Sequence, residues 1–125
     1  MEHQIYDKIM GKTFVTSNLQ LGRPGAIKKY KRDFKDVDEM DAALIKAWNT
    51  IVTQNDTVYH LGNFAWDPRT AQSAMLALNG KIKFVLGEHD EAVELLERKG
   101  MLRPGCEISK CITEDKDNEA VLSYW

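Results

Sequence analysis

The chain has 125 residues, 43% hydrophobic and 29% charged, which is enough for one domain with its own core. Its 17 basic and 19 acidic side chains leave a net charge of −2, so nothing in bulk draws it to nucleic acid or an anionic membrane. No apolar run approaches the roughly 18 residues that span a bilayer, and the opening "MEHQIYDKIMGK" lacks the basic-then-apolar layout of a signal peptide. Cys106 and Cys111 are too few for a disulfide scaffold, and a lone C-x4-C pair falls short of the four ligands zinc usually takes. Free thiols in a cytoplasmic protein are the expectation.

In chain order, "KTFVTS" (Lys12 to Ser17) reads as a short strand rich in β-branched and aromatic residues. A polar, glycine-containing segment follows. Asp36 or Asp38 can then cap a helix whose apolar positions are Met40, Ala43, Leu44, Ala47, Trp48 and Ile51. "DTVYHLG" (Asp56 to Gly62) is a second strand. Asp67-Pro68 is a good helix start, because proline at the first helical position loses no needed donor. Ala71, Ala74, Met75 and Leu78 form that helix's apolar face, and Asn79-Gly80 can end it. "KIKFVLG" is a third strand, and Asp90 to Lys99 a third helix stopped by Gly100. "EISKCITE" and "EAVLSYW" read as last strands, separated by the turn-like "DKDN". Strands alternating with helices predict a single α/β domain over 1–125, a sheet with flanking helices.

Three of these strands end in glycine-associated polar loops: "TSNLQLG", "HLGNFA" and "LGEHDE". In open α/β sheets ligands bind outside the carboxyl ends of the strands, so the three loops are expected to meet at one place. The plain reading is that the glycines turn the chain and the polar side chains are solvated, since G-x-H alone is a weak signal.

Beyond these motifs, "FVTSNLQLG", "EMDAALIKAWNTIV", "DTVYHLGNFA", "LNGKIKFVLGEHD" and, more weakly, "AVLSYW" resemble the calcineurin-like metallophosphoesterases, in particular their small bacterial and phage-encoded branch. The resemblance covers most of Lys12 to Asp90 and includes helix and strand text between the motifs. It implies a metallophosphoesterase-like sheet. Family members carry D-x-H, G-D and G-N-H-D/E after the three strands, then a later histidine and a G-H-x-H. These residues hold two divalent metals, such as manganese, that clamp a phosphate ester and supply a hydroxide.

Carried over residue by residue, that chemistry fails. The D-x-H position reads Asn18-Leu19-Gln20, the G-D position Gly62-Asn63, and the G-N-H-D position Gly87-Glu88-His89-Asp90. Only His89 keeps its family type among the side chains Asn18, Gln20, Asn63, Glu88 and His89. The later histidine position falls at Ser123-Tyr124, and G-H-x-H is absent from the 125 residues, which reads as a shortened form. Two neighbouring dications repel, and carboxylates offset that repulsion; amides are weaker, neutral ligands. No metal site is therefore expected. Asn for Asp is nearly isosteric, so loop hydrogen bonds can persist without the repulsion that a metal-free carboxylate cluster would suffer.

Several other features admit two readings. Lys28, Lys29, Lys31, Arg32 and Lys35, interleaved with Tyr30 and Phe34, are either a solvated lead-in to the next helix or a contact surface for a phosphate backbone or an acidic protein. Trp66 either lines the mouth or packs under Asp67-Pro68. His60 is expected to be a satisfied structural histidine, and Trp48 and Met40 core. A sheet edge left open at Tyr124-Trp125 can pair with another chain, which makes self-association an expectation.

Three functions compete. One is an inactive phosphoesterase homologue that binds a host protein, as a phage- or prophage-encoded regulator or inhibitor working in the host cytoplasm. Another is a residual phosphoesterase built on Glu88, His89 and Asp90. The last is a nucleotide or nucleic-acid binder using the old cleft and the Lys28 to Lys35 patch. The loss of ligands favours the first.

Overall fold

A computed structural model of the chain describes residues 11–110 and 119–121. Strands β1 (Thr13–Thr16), β2 (Thr57–His60), β3 (Lys81–Phe84), β4 (Cys106–Ile108) and β5 (Glu119–Val121) form one parallel sheet in the order β4-β3-β2-β1-β5. Between the first four strands lie helices α1 (Gly25–Lys29), α2 (Val37–Ile51), α3 (Pro68–Ala77) and α4 (Glu91–Arg98). The expected α/β sheet with flanking helices is observed. Among the described residues no helix is long and apolar enough to cross a membrane.

The placement of the helices follows from the strand order. β1 to β4 are consecutive neighbours stepping in one direction, and right-handed crossovers then put every connecting helix on the same face. Phe14, Val58, Ile82 and Cys106 sit in one register row across the sheet. They share a core with Met40, Leu44 and Trp48 of α2, Ala71, Ala74 and Met75 of α3, and Ala92, Val93 and Leu96 of α4. Trp48 and Met40 are fully buried, as expected. Burying a side chain of this size stabilises the fold by about 1.5–3 kcal/mol.

Local chemistry sets the helix ends. The Asp36 side chain accepts the Glu39 backbone N–H at 2.9 Å and caps α2, so Asp36 rather than Asp38 is the cap. Asp67 caps α3 by accepting the Thr70 N–H at 2.8 Å, with Pro68 behind it. Asn79 then ties the two helix ends together. Its carbonyl accepts the Trp48 indole N–H at 3.0 Å, and its amide donates to the Val52 carbonyl at 3.0 Å. Gly80 turns the chain at φ +88°, where a Cβ would lie 2.8 Å from the Asp56 carbonyl oxygen.

Three details add to or adjust the sequence reading. The polar segment after β1 contains a short helix, α1, started by Pro24 and too brief to show a period. β4 begins at Cys106, one residue before the expected "EISKCITE". The two last strands do not meet: β4 pairs with β3 and β5 with β1, on opposite sides of the sheet. Cys111, Ser123, Tyr124, Trp125 and the edge expected at Tyr124-Trp125 lie outside the described residues.

Candidate functional site

The strand order turns back at β1, which lies between β2 and β5, and the carboxyl ends of β1, β2 and β3 point to the same side of the sheet. The three glycine-associated loops do meet there. The Asn18 N–H donates to the Gly62 carbonyl at 2.6 Å, the Gln20 N–H to the Asn63 carbonyl at 3.1 Å, and the Leu21 N–H to the Phe64 carbonyl at 3.0 Å. Leu19 and Leu21 anchor the first loop by burying their side chains in the core. The second and third loops approach too closely for side chains. A Cβ at Gly62 would lie 2.6 Å from the Gly87 nitrogen, and one at Gly87 would lie 2.5 Å from Asn63 Oδ1. An open cavity of about 380 Å³ results, lined by Ser17, Asn18, Leu61, Asn63, Gly87 and Glu88.

The polar side chains of the first two loops are engaged within the protein. Gln20, only 2% exposed, donates from Nε2 to Asn18 Oδ1 and, at 3.5 Å, to the Tyr30 hydroxyl. Its Oε1 accepts from the Arg23 guanidinium at 2.8 Å. A hydrogen bond with the Asn18 side chain, helped by the nearby Lys29 and Arg23 charges, lowers the Tyr30 pKa against the opposing effect of burial. Asn63 Oδ1 accepts the His89 backbone N–H at 3.0 Å.

Two buried charges hold the loops in place. Arg32, 3% exposed, donates to the carbonyls of Leu19 at 2.8 Å and Asn18 at 2.7 Å. This corrects its place in the expected contact surface: the guanidinium is a clamp beneath the first loop, where Asn18 and Gln20 take left-handed φ values of 64° and 58°. Burial lowers its pKa below the ordinary guanidinium value. Asp90, 4% exposed, begins α4 but makes no capping bond. Its carboxylate instead accepts the Phe64 N–H at 2.7 Å and the Gly87 N–H at 2.7 Å, joining the second loop to the third.

The remaining expected residues divide. Lys28, Lys29 and Lys31 are exposed on and after α1, whereas Tyr30 and Phe34 pack partly against the core. Trp66 is 50% exposed at the mouth, with the Arg23 guanidinium 4.6 Å from its ring centre and the His89 ring 6.1 Å away. Glu88 and His89 are exposed. His60 is buried below the mouth, as expected, but only half satisfied. Its Nδ1 accepts the Gly62 N–H at 3.2 Å while Nε2 has no partner among the described residues. Burial pushes its pKa down to about 3. Tyr124 and Trp125 lie outside the described residues. Sequence reasoning missed Arg23, and also Glu91, which fell within the expected third helix.

These donors do not fit a pair of divalent metals. Asn18 and Asn63 direct their amide oxygens at protein N–H groups, Gln20 offers no imidazole, and Asp90 spends both oxygens on backbone donors. Among the described residues no group of three or more His, Cys, Asp or Glu side chains is placed to hold a metal ion.

Comparison with known proteins agrees on the fold and leaves the activity open. No family model matches the chain. It is 36% identical over 85 residues, 66% of its length, to an uncharacterized protein of Methanocaldococcus jannaschii, MJ1445, of which it covers 48%. It is 33% identical over 85 residues, 65% of its length, to the gene 66 protein of Mycobacterium phage L5, of which it covers 41%. The chain thus spans less than half the length of either relative. The crystal structure of a protein of unknown function from Aquifex aeolicus, AQ665, superposes with a TM-score of 0.63 at 25% identity, covering 84% of this chain and 55% of that one.

Proposed function

We propose that the chain is a catalytically inactive relative of the calcineurin-like metallophosphoesterases that acts by binding another protein. In this reading it is a phage-borne regulator or inhibitor of a host system, working in the host cytoplasm. The observation that carries the reading is the bonding of the three amides. Asn18, Gln20 and Asn63 stand where the family places metal ligands, and each side chain hydrogen-bonds within the protein. The mouth also offers Leu61, 38% exposed, and Trp66, 50% exposed, with Arg23 stacked on the indole. Tryptophan and arginine are the residues that most often anchor protein interfaces. The phage L5 relative supports a phage origin.

The test is a calorimetric titration with manganese together with a phosphodiester hydrolysis assay. The expected result is no saturable heat and no turnover above buffer. Tight metal binding with turnover that His89→Ala abolishes would overturn the reading and favour a residual phosphoesterase. The nucleic-acid alternative is weakened by the burial of Arg32, which removes one cation from the patch it relied on. Salt-sensitive binding of an oligonucleotide would restore it.

A further inference from the structure

The side of the mouth formed by the β3–α4 loop has its own chemistry. A cavity of about 230 Å³ is lined by Trp66, His89 and Glu91. It adjoins a second cavity, of about 250 Å³, which shares Glu91 and adds Glu88 and Glu94. The indole of Trp66 already accepts one guanidinium, that of Arg23, at 4.6 Å. Trp66 lines the 230 Å³ cavity, and Arg23 is not among its lining residues. Glu88, Glu91 and Glu94 are all exposed there.

An aromatic surface attracts a cation through its quadrupole, and tryptophan does so best. A carboxylate at the edge of the same space adds charge-assisted hydrogen bonds to an ammonium or guanidinium. An anion entering it would meet Glu91 at the wall and Glu88 and Glu94 just beyond. The Lys28, Lys29 and Lys31 cations belong to the β1–α1 side and do not line either space. Charge and ring chemistry therefore agree on the occupant.

Resting on the protein-binding reading above, we infer that the Trp66–His89–Glu91 cavity takes a lysine or arginine side chain of the partner protein. Trp66 supplies the aromatic wall and Glu91 the counter-charge. The partner segment that enters is basic, and its cationic head is what the pocket recognises.

The full chain, with its tryptophan indoles ¹⁵N-labelled, is titrated with capped pentalysine and pentaarginine peptides. Capped pentaglutamate and a short single-stranded oligonucleotide serve as competing chemistries. The Trp66 resonance is assigned from Trp66→Phe, and the buried Trp48 resonance reports that the fold is intact. The expected result is a saturable shift of the Trp66 indole with a basic peptide, with affinity about tenfold weaker in Glu91→Gln, corresponding to one charge-assisted contact. Pentaglutamate and the oligonucleotide should leave the resonance in place. The pocket assignment is overturned if basic peptides give no saturable shift, if Glu91→Gln binds as well as the parent, or if the acidic peptide or oligonucleotide moves the indole instead. The manganese titration decides the parent reading separately. A silent peptide titration alongside silent manganese discards the pocket alone.

Discussion

The β1–α1 loop and the β3–α4 loop leave the same end of the same sheet, and their polar side chains meet opposite fates. In the first, Gln20 is 2% exposed, and the Arg32 guanidinium beneath it is 3% exposed and donates to two loop carbonyls. In the third, Glu88 and His89 stand in solvent, and only Asp90 turns inward, to two backbone N–H groups. The difference follows from the cost of burying a polar group, which the fold tolerates only where another group satisfies it. Where the loops supply partners, the polar side chains become architecture. Where they do not, the side chains face outward.

The contrast can be broken at its strongest bond first. Asp90→Ala leaves the Phe64 and Gly87 N–H groups without their acceptor, and a loss of about 3–5 kcal/mol in urea-melt stability is expected. A loss below about 1 kcal/mol would mean that water replaces the carboxylate and the corner is not truly closed. Arg32→Met should cost about 2–4 kcal/mol by the same measurement, since two loop carbonyls lose charged donors. Arg32→Lys should recover only part of this, because one ammonium cannot copy the planar fork.

His60 predicts a pH dependence. Its folded pKa of about 3 lies below the ordinary 6.5, so the unfolded chain binds the proton more readily. The associated stability is present above the ordinary value and is lost as pH falls toward the folded value. By about pH 5 the loss should be about 2 kcal/mol. His60→Leu should flatten thermal stability between pH 7 and about pH 5, and an unchanged slope would place the sensitivity elsewhere. The smallest effect is expected on the exposed side: Trp66→Ala should alter stability by no more than about 0.5 kcal/mol. A larger loss would mean that Trp66 is part of the packing rather than of the surface.

Much of the frame was legible from residue pattern. Met40, Leu44 and Trp48 are spaced for one helix face, Asp36 and Asp67-Pro68 mark two helix starts, and the convergence of three glycine loops follows from parallel strands with helical crossovers. Arg32 was not legible. A lysine-rich stretch reads as solvated, and its one buried member depends on carbonyls that the left-handed Asn18 and Gln20 present from another segment. Asp90 was legible as a helix start, but its bond to Phe64 spans 26 residues and no local pattern announces it. The meeting of Trp66 with Glu91 was likewise hidden, because the two are far apart in sequence and line one cavity only through the fold.

The most direct test follows the side-chain amide and imidazole resonances of Asn18, Asn63 and His89 by NMR while stoichiometric manganese is added. If the amides are committed to protein hydrogen bonds, these signals should broaden no more than those of other exposed side chains. Selective loss of all three at one equivalent of metal would contradict a metal-free mouth.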